Sequence, residues 1–110
     1  MIGREHYEAN RQRYIDMEAR RKRTRNEQRM AQLIEFLRAN PCADCGERDP
    51  LVLEFDHLGN KEFNISKGFS GRNWQSILDE MAKCEVVCAN CHRRRTARRH
   101  EHVRAVLLAE

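Results

Sequence analysis

The sequence predicts an α+β fold, a small metal-stapled domain preceded by a long basic helix. Three observations carry that expectation. Residues 4–39 contain no Gly or Pro and are rich in Arg, Glu, Gln, Ala and Met, the composition of one helix or of two with a soft join. Cys42/Cys45 and Cys88/Cys91 form two C-x-x-C pairs far apart in the chain. Between them, a short strand-like apolar run and a segment of helical period alternate with loop residues. The 110 residues are 40% hydrophobic and 35% charged. That allows one domain with a small core, and domains of this size usually need a staple.

The elements follow in order. In residues 1–40, the long basic helix or arm, Met30, Leu33, Ile34 and Leu37 recur at helical spacing and should pack on the rest of the domain. Further towards the N-terminus only Tyr7, Tyr14, Ile15 and Met17 stand out, and residues 20–29 before Met30 hold no large apolar side chain. That stretch is expected to project into solvent, onto DNA or against another subunit. Asn40-Pro41 ends the helix.

Residues 41–110 then form the stapled domain. The turn "PCADCGERDP" leads into a strand "LVLEF", with Leu51, Leu53 and Phe55 on one side. Residues 58–72, with Gly59, Gly68 and Gly71, read as a long functional loop with a short strand at "EFNIS". Residues 73–83 form a short amphipathic helix through Trp74, Ile77, Leu78 and Met81. Residues 85–87 are a brief strand. A final helix runs from Asn90 or Cys91 to about Leu108, with Val103, Val106 and Leu107 as an apolar stripe.

Residues 1–13 are charged and lack the apolar segment of a secretory signal, and no apolar run can span a bilayer. A cytoplasmic, reducing setting is expected, where paired cysteines read as metal ligands before disulfides. Cys42, Cys45, Cys88 and Cys91 would close a tetrahedral zinc shell with no open position, so the site is structural. Binding there contributes folding free energy directly. Cys84 reads as a small buried apolar residue.

The formal net charge is +4, but its distribution is uneven. Arg20, Arg21, Lys22, Arg23 and Arg25 form one basic run; Arg93, Arg94, Arg95, Arg98 and Arg99 form another. Together they suggest a polyanion, most simply nucleic acid. A solvated helix face is the other reading of the first run.

Asp56-His57 follows the first strand and His92 follows Cys91. Closing the zinc shell should bring these three together. Taken singly, the aspartate could cap a turn and the histidine could pack in a core. Taken together, "C-x-x-C", "EFDH" and "KCEVVCANCHRRRT" over residues 41–96 resemble the HNH endonucleases, in the branch where a four-cysteine zinc surrounds a ββα-metal (His-Me finger) core.

The resemblance implies a DNA endonuclease or nickase. His57 would be the general base, with Asp56 and His92 holding a catalytic Mg2+ or Mn2+. It also implies a central asparagine that orients the loop bearing the base. Asn73 is the first choice by order and distance, and Asn64 the next; Asn90 reads better as part of the zinc turn. Thr96 stands where relatives often carry another histidine. His100 and His102 read as surface residues.

On the last helix, Arg95 and Arg99 share the face of His92 best and should contact phosphate. No further recognition module is evident, so weak sequence preference and steep salt dependence are expected. The N-terminal helix would lie along DNA, form a homodimer or join a larger DNA-processing complex. Free-standing HNH proteins of this size resemble phage-encoded ones, which implies a bacterial or phage-infected cell. The competing expectations are a non-catalytic zinc-stabilised DNA-binding or accessory module and a self-assembling adaptor.

Overall fold

A computed structural model describes residues 4–109. Residues 1–3, part of the charged start weighed above as a signal, lie outside the described residues, as does the side chain of Tyr7. The architecture is α+β. Helix α1 (Arg4–Ala39) is a single uninterrupted helix of 36 residues. It ends where Asn40 closes it, donating its backbone N–H to Leu37 O at 3.1 Å and its side-chain amide to Phe36 O at 2.8 Å. Pro41 cannot extend the helix ladder.

Only the last third of α1 docks. Leu37 is buried and Leu33 partly so, while Met30 stays 44% exposed, so the packed stripe is narrower than the periodicity suggested. Polar contacts complete the docking. Arg29 donates to the carbonyls of Phe69 and Arg72 at 2.8 and 2.9 Å, and Trp74 Nε1 donates to Gln32 at 2.8 Å. The remainder of α1 projects outward, which stretches the molecule to 77 × 29 × 21 Å.

The first strand starts later than expected. Pro50–Val52 forms a 3-10 turn, because Asp49 accepts the Leu51 N–H at 2.9 Å and Pro50 supplies the turn's fixed φ. Leu51 is consequently 89% exposed and shares no face with Leu53. Strand β1 (Leu53–His57) pairs antiparallel with β2 (Cys84–Cys88), from Leu53 opposite Cys88 to His57 opposite Cys84. Asp56 and His57 therefore lie within the strand. "EFNIS" forms no strand: its end enters the short helix α2 (Ile65–Gly68), followed by α3 (Trp74–Met81).

The expected final helix is two helices. Helix α4 (Ala89–Arg99) stops where Glu101 adopts a left-handed φ of +48° and His102 N–H reaches back to Ala97 O at 3.0 Å. That closure consumes the carbonyls a continuing helix would use. Helix α5 (Val103–Leu108) follows, with Val103, Val106, Leu107 and Leu108 exposed.

Two apolar clusters hold the domain. One joins Leu37 to Leu53, Val86, Val87 and buried cysteines; the other packs Ile65, Ile77 and Met81. Leu33 and Phe55 touch both. Along the chain β1 is followed by α2, α3, β2 and α4, and α4 contacts both strands of the sheet.

Candidate functional site

The two-stranded sheet has two chemically distinct ends. At the Leu53–Cys88 end, Cys42, Cys45, Cys88 and Cys91 bring their sulfurs within 4.8 Å of one another. The first pair forms a tight knuckle: Gly46 N–H bonds Cys42 O at 2.9 Å and Gly46 takes φ +80°, which glycine adopts without strain. Ala43 N–H bonds Val86 O at 2.9 Å and fixes the knuckle to β2. The second pair straddles the start of α4, where Cys88 caps the helix by accepting the Cys91 N–H on sulfur at 3.5 Å.

This geometry fits a tetrahedral ion. Zinc–sulfur bonds of about 2.3 Å place sulfurs roughly 3.8 Å apart, and Cys45 and Cys88 Sγ lie 3.7 Å apart. All five cysteines are unpaired thiols. Burial opposes ionisation of Cys42, but backbone hydrogen bonds at Cys88, Cys45 and Asp44 bring it down to about 6. Burial and the neighbouring thiols push Cys91 up to about 12. Four thiols this close cannot all ionise without a cation, and a cation such as zinc is what the cluster can hold. Cys84 stands apart, partly buried, its thiol pushed up to about 11 mainly by burial. That agrees with its reading as a small core residue.

At the other end of the sheet, alternation along β1 sends Glu54 and Asp56 towards α4 and His57 towards α3. Asp56 is only 2% exposed. His92 Nε2 lies 3.6 Å from its Oδ1, and His92 Nδ1–H donates to Glu54 at 2.6 Å. Arg99 grips both Asp56 oxygens at 2.5 Å, and Arg95 adds a bond at 2.8 Å. The Arg99 hydrogen bonds, opposed by burial and helped by Arg95, hold Asp56 down at about 2. Across the strand, His57 Nε2 meets Glu80 Oε2 at 2.9 Å. Lys83, against the cost of burial, holds Glu80 down at about 2.

Asp56, His57, His92, Glu54, Asn64 and Arg99 line one cavity of about 1030 Å³ between α1, β1, α2 and α4. Asp56 and His92 are suitable donors for a hard divalent ion in type and spacing, since cis ligands at about 2.1 Å stand about 3 Å apart. Glu54 on Nδ1 leaves Nε2 as the donor nitrogen of His92. Arg99 would have to leave Asp56 first.

Several expected site residues do other work. Asn73 caps α3, accepting the Ser76 N–H at 2.8 Å, and does not touch His57. Asn64 sits before α2, where its side chain caps nothing, and lines the cavity. Arg95, expected to face phosphate, is consumed internally: it bonds Asp44 at 2.6 and 2.7 Å, Asp56 at 2.8 Å and Glu85 at 3.0 Å. Arg94 donates to Cys91 sulfur at 3.5 Å. Arg93 and Arg98 are exposed, as are Arg20, Arg21, Lys22, Arg23 and Arg25 on α1. Arg21 pairs with Glu18 on that surface.

Sequence reasoning missed Glu54, Glu80, Asp44 and Glu85. Two signals were present. Glu54 stands two residues before Asp56 on a strand, hence on the same face. Glu80 sits within the stripe of Ile77 and Met81, a carboxylate where an apolar residue is expected.

Compared with protein-family models, curated proteins and solved structures, the chain matches none. Among the described residues no helix is long and apolar enough to cross a membrane.

Proposed function

We propose that this chain is a metal-dependent DNA endonuclease or nickase of the HNH type. His57 is the general base, and Asp56 and His92 are the protein ligands of one Mg2+ or Mn2+ ion. The meeting of Asp56 and His92 across β1 and α4, in a cleft that His57 also lines, carries the reading. The paired strands β1 and β2 with α4 packed on both support a ββα-metal core, and the four thiols would hold its structural zinc.

A bound divalent ion would neutralise charge growing on phosphate and on the leaving 3′ oxygen. The protein's own groups do the rest. His57 takes a proton from water, whose oxygen attacks phosphorus in line. The bond to the 3′ oxygen breaks, and that oxygen takes a proton from solvent. Arg99, with 44% of its side chain exposed, leaves Asp56 for a phosphate oxygen. Arg93, Arg98 and the run from Arg20 to Arg25 hold the DNA backbone without reading its sequence. The projecting part of α1 supplies the surface for DNA, a second copy or a larger DNA-processing complex, in the cytoplasm of a bacterial or phage-infected cell.

One observation favours a second reading, a zinc-stabilised DNA-binding module without catalysis. Arg95 and Arg99 neutralise Asp56, so the cluster is electrostatically complete as it stands. Plasmid relaxation with Mg2+, Mn2+ or EDTA separates the two. Nicking that needs the metal and falls about 100-fold or more in His57→Ala supports the base. Undiminished nicking in that variant rejects it, and tight DNA binding without nicking selects the binding module.

A further inference from the structure

Among the described residues the side-chain partner of His57 is Glu80 rather than an asparagine. The register of β1 and β2 puts His57 opposite Cys84, one helical turn beyond Glu80. The Glu80 carboxylate is 1% exposed, and both oxygens are committed. Oε2 accepts from His57 Nε2 at 2.9 Å and from the Glu62 N–H at 3.0 Å; Oε1 accepts from Lys83 Nζ at 2.8 Å. Lys83 is itself fixed by Asn60 O at 3.0 Å and Glu62 Oε1 at 3.1 Å. The carboxylate can neither turn away nor offer a proton. A neutral imidazole against it must carry its proton on Nε2, which leaves the lone pair on Nδ1. The His57 side chain is 13% exposed and lines the cleft.

We propose that Glu80 is the positioning residue of His57: it accepts the Nε2 proton, fixes the ring and its tautomer, and makes Nδ1 the nitrogen that receives the proton of the attacking water. The role in turnover rests on the reading of His57 as the base; the tautomer does not. When water gives its proton to Nδ1, the Nε2 proton stays in place and the ring becomes a cation beside a fixed anion. Glu80 remains ionised throughout and stabilises that cation by charge and hydrogen bonding. Its buried place in the apolar stripe of α3 then has a chemical purpose, where a packing residue would have been apolar.

The test combines NMR with a double-mutant cycle on the full chain loaded with zinc. With the ring neutral, long-range proton–nitrogen correlations of His57 should show the proton on Nε2, in a downfield resonance slow to exchange with water. In Glu80→Gln that resonance should move upfield and broaden, while circular dichroism and metal content stay as in wild type. In plasmid nicking, Glu80→Gln should lower kcat about 100-fold or more with KM unchanged, and have no further effect in a His57→Ala background. An equal loss in both backgrounds makes Glu80 merely structural and overturns the proposal. So does a His57 ring protonated on Nδ1. If Glu80→Gln does not fold, Glu80→Asp replaces it, and a resonance unaltered by the shorter side chain overturns the proposal. The expected resonance in a protein with no nicking at all supports the tautomer and removes the nuclease reading instead.

Discussion

The two ends of one short sheet solve the problem of buried polar groups in opposite ways. At the Leu53–Cys88 end, four like groups converge, and among the described residues Arg94 is the cation bonded to them, through Cys91. At the His57–Cys84 end, each carboxylate has found a cation or a proton donor of its own: Asp56 has Arg95 and Arg99, and Glu80 has Lys83 and His57. The first end is arranged so that an ion from outside could tie its four sulfurs together. The second has its carboxylates paired within the protein. The first end can hold a metal ion such as zinc; a working ion at the second belongs to the proposed nuclease reading.

The largest test of that contrast is removal of the ion that the four thiols could hold. A strong chelator under reducing conditions should unfold the sheet and α4, since structural zinc contributes on the order of 10 kcal/mol of folding free energy in small domains. Circular dichroism would follow it, and metal analysis should find one zinc per chain. A chain that keeps its structure without metal would erase the distinction between the ends.

A smaller loss is expected at the second end. Asp56→Ala leaves the guanidinium of Arg95 against Asp44 and Glu85 but strips Arg99 of its main partner. Breaking a buried ion pair costs about 3 kcal/mol, and the exposure of Arg99 should reduce that figure. Urea denaturation of the zinc-loaded protein measures it. A variant as stable as wild type would mean that this cluster is not held by its charges.

Acid titration sharpens the same point. Asp56 and Glu80 are held at about 2, below their ordinary 3.8 and 4.5. The unfolded chain takes up those protons first as pH falls. Their stabilisation is therefore complete above about 4.5, shrinks as pH drops and is lost by about 2. Thiolate protonation also destabilises in this range, so the difference between wild type and Asp56→Asn is the quantity to follow. It should narrow from pH 5 downward. A difference that stays constant would remove the charge from the explanation.

The smallest effect lies outside both ends. Arg93→Ala with Arg98→Ala should leave stability within about 0.5 kcal/mol, as for other exposed positions. It should lower the salt dependence of DNA binding by roughly 0.9 in slope for each phosphate that the variant no longer neutralises. An unchanged slope would place DNA elsewhere on the molecule.

Local patterns were legible from the chain alone. The helix of residues 4–39, the two cysteine pairs and the amphipathic α3 follow from composition and spacing, because each is set by neighbours in sequence. Asp56, His57 and His92 stood out by their position beside the cysteines. The strand boundary at Leu53, the break at Glu101 and the helical turn at Ile65 were not legible, since each depends on one local bond or φ that the apolar pattern does not report.

Sequence by itself determined which groups are present and in what order: four thiols able to share one ion, a carboxylate and two imidazoles close behind them, and a helix too polar along most of its length to be buried. Tertiary structure decided the pairings. Antiparallel register put His57 against the helix that bears Glu80 and put Asp56 under Arg95 and Arg99. Those pairings span 23, 39 and 43 residues of chain. Nothing local selects among the 21 cations of such a chain; only the packing of two strands and two helices brings particular charges within bonding distance.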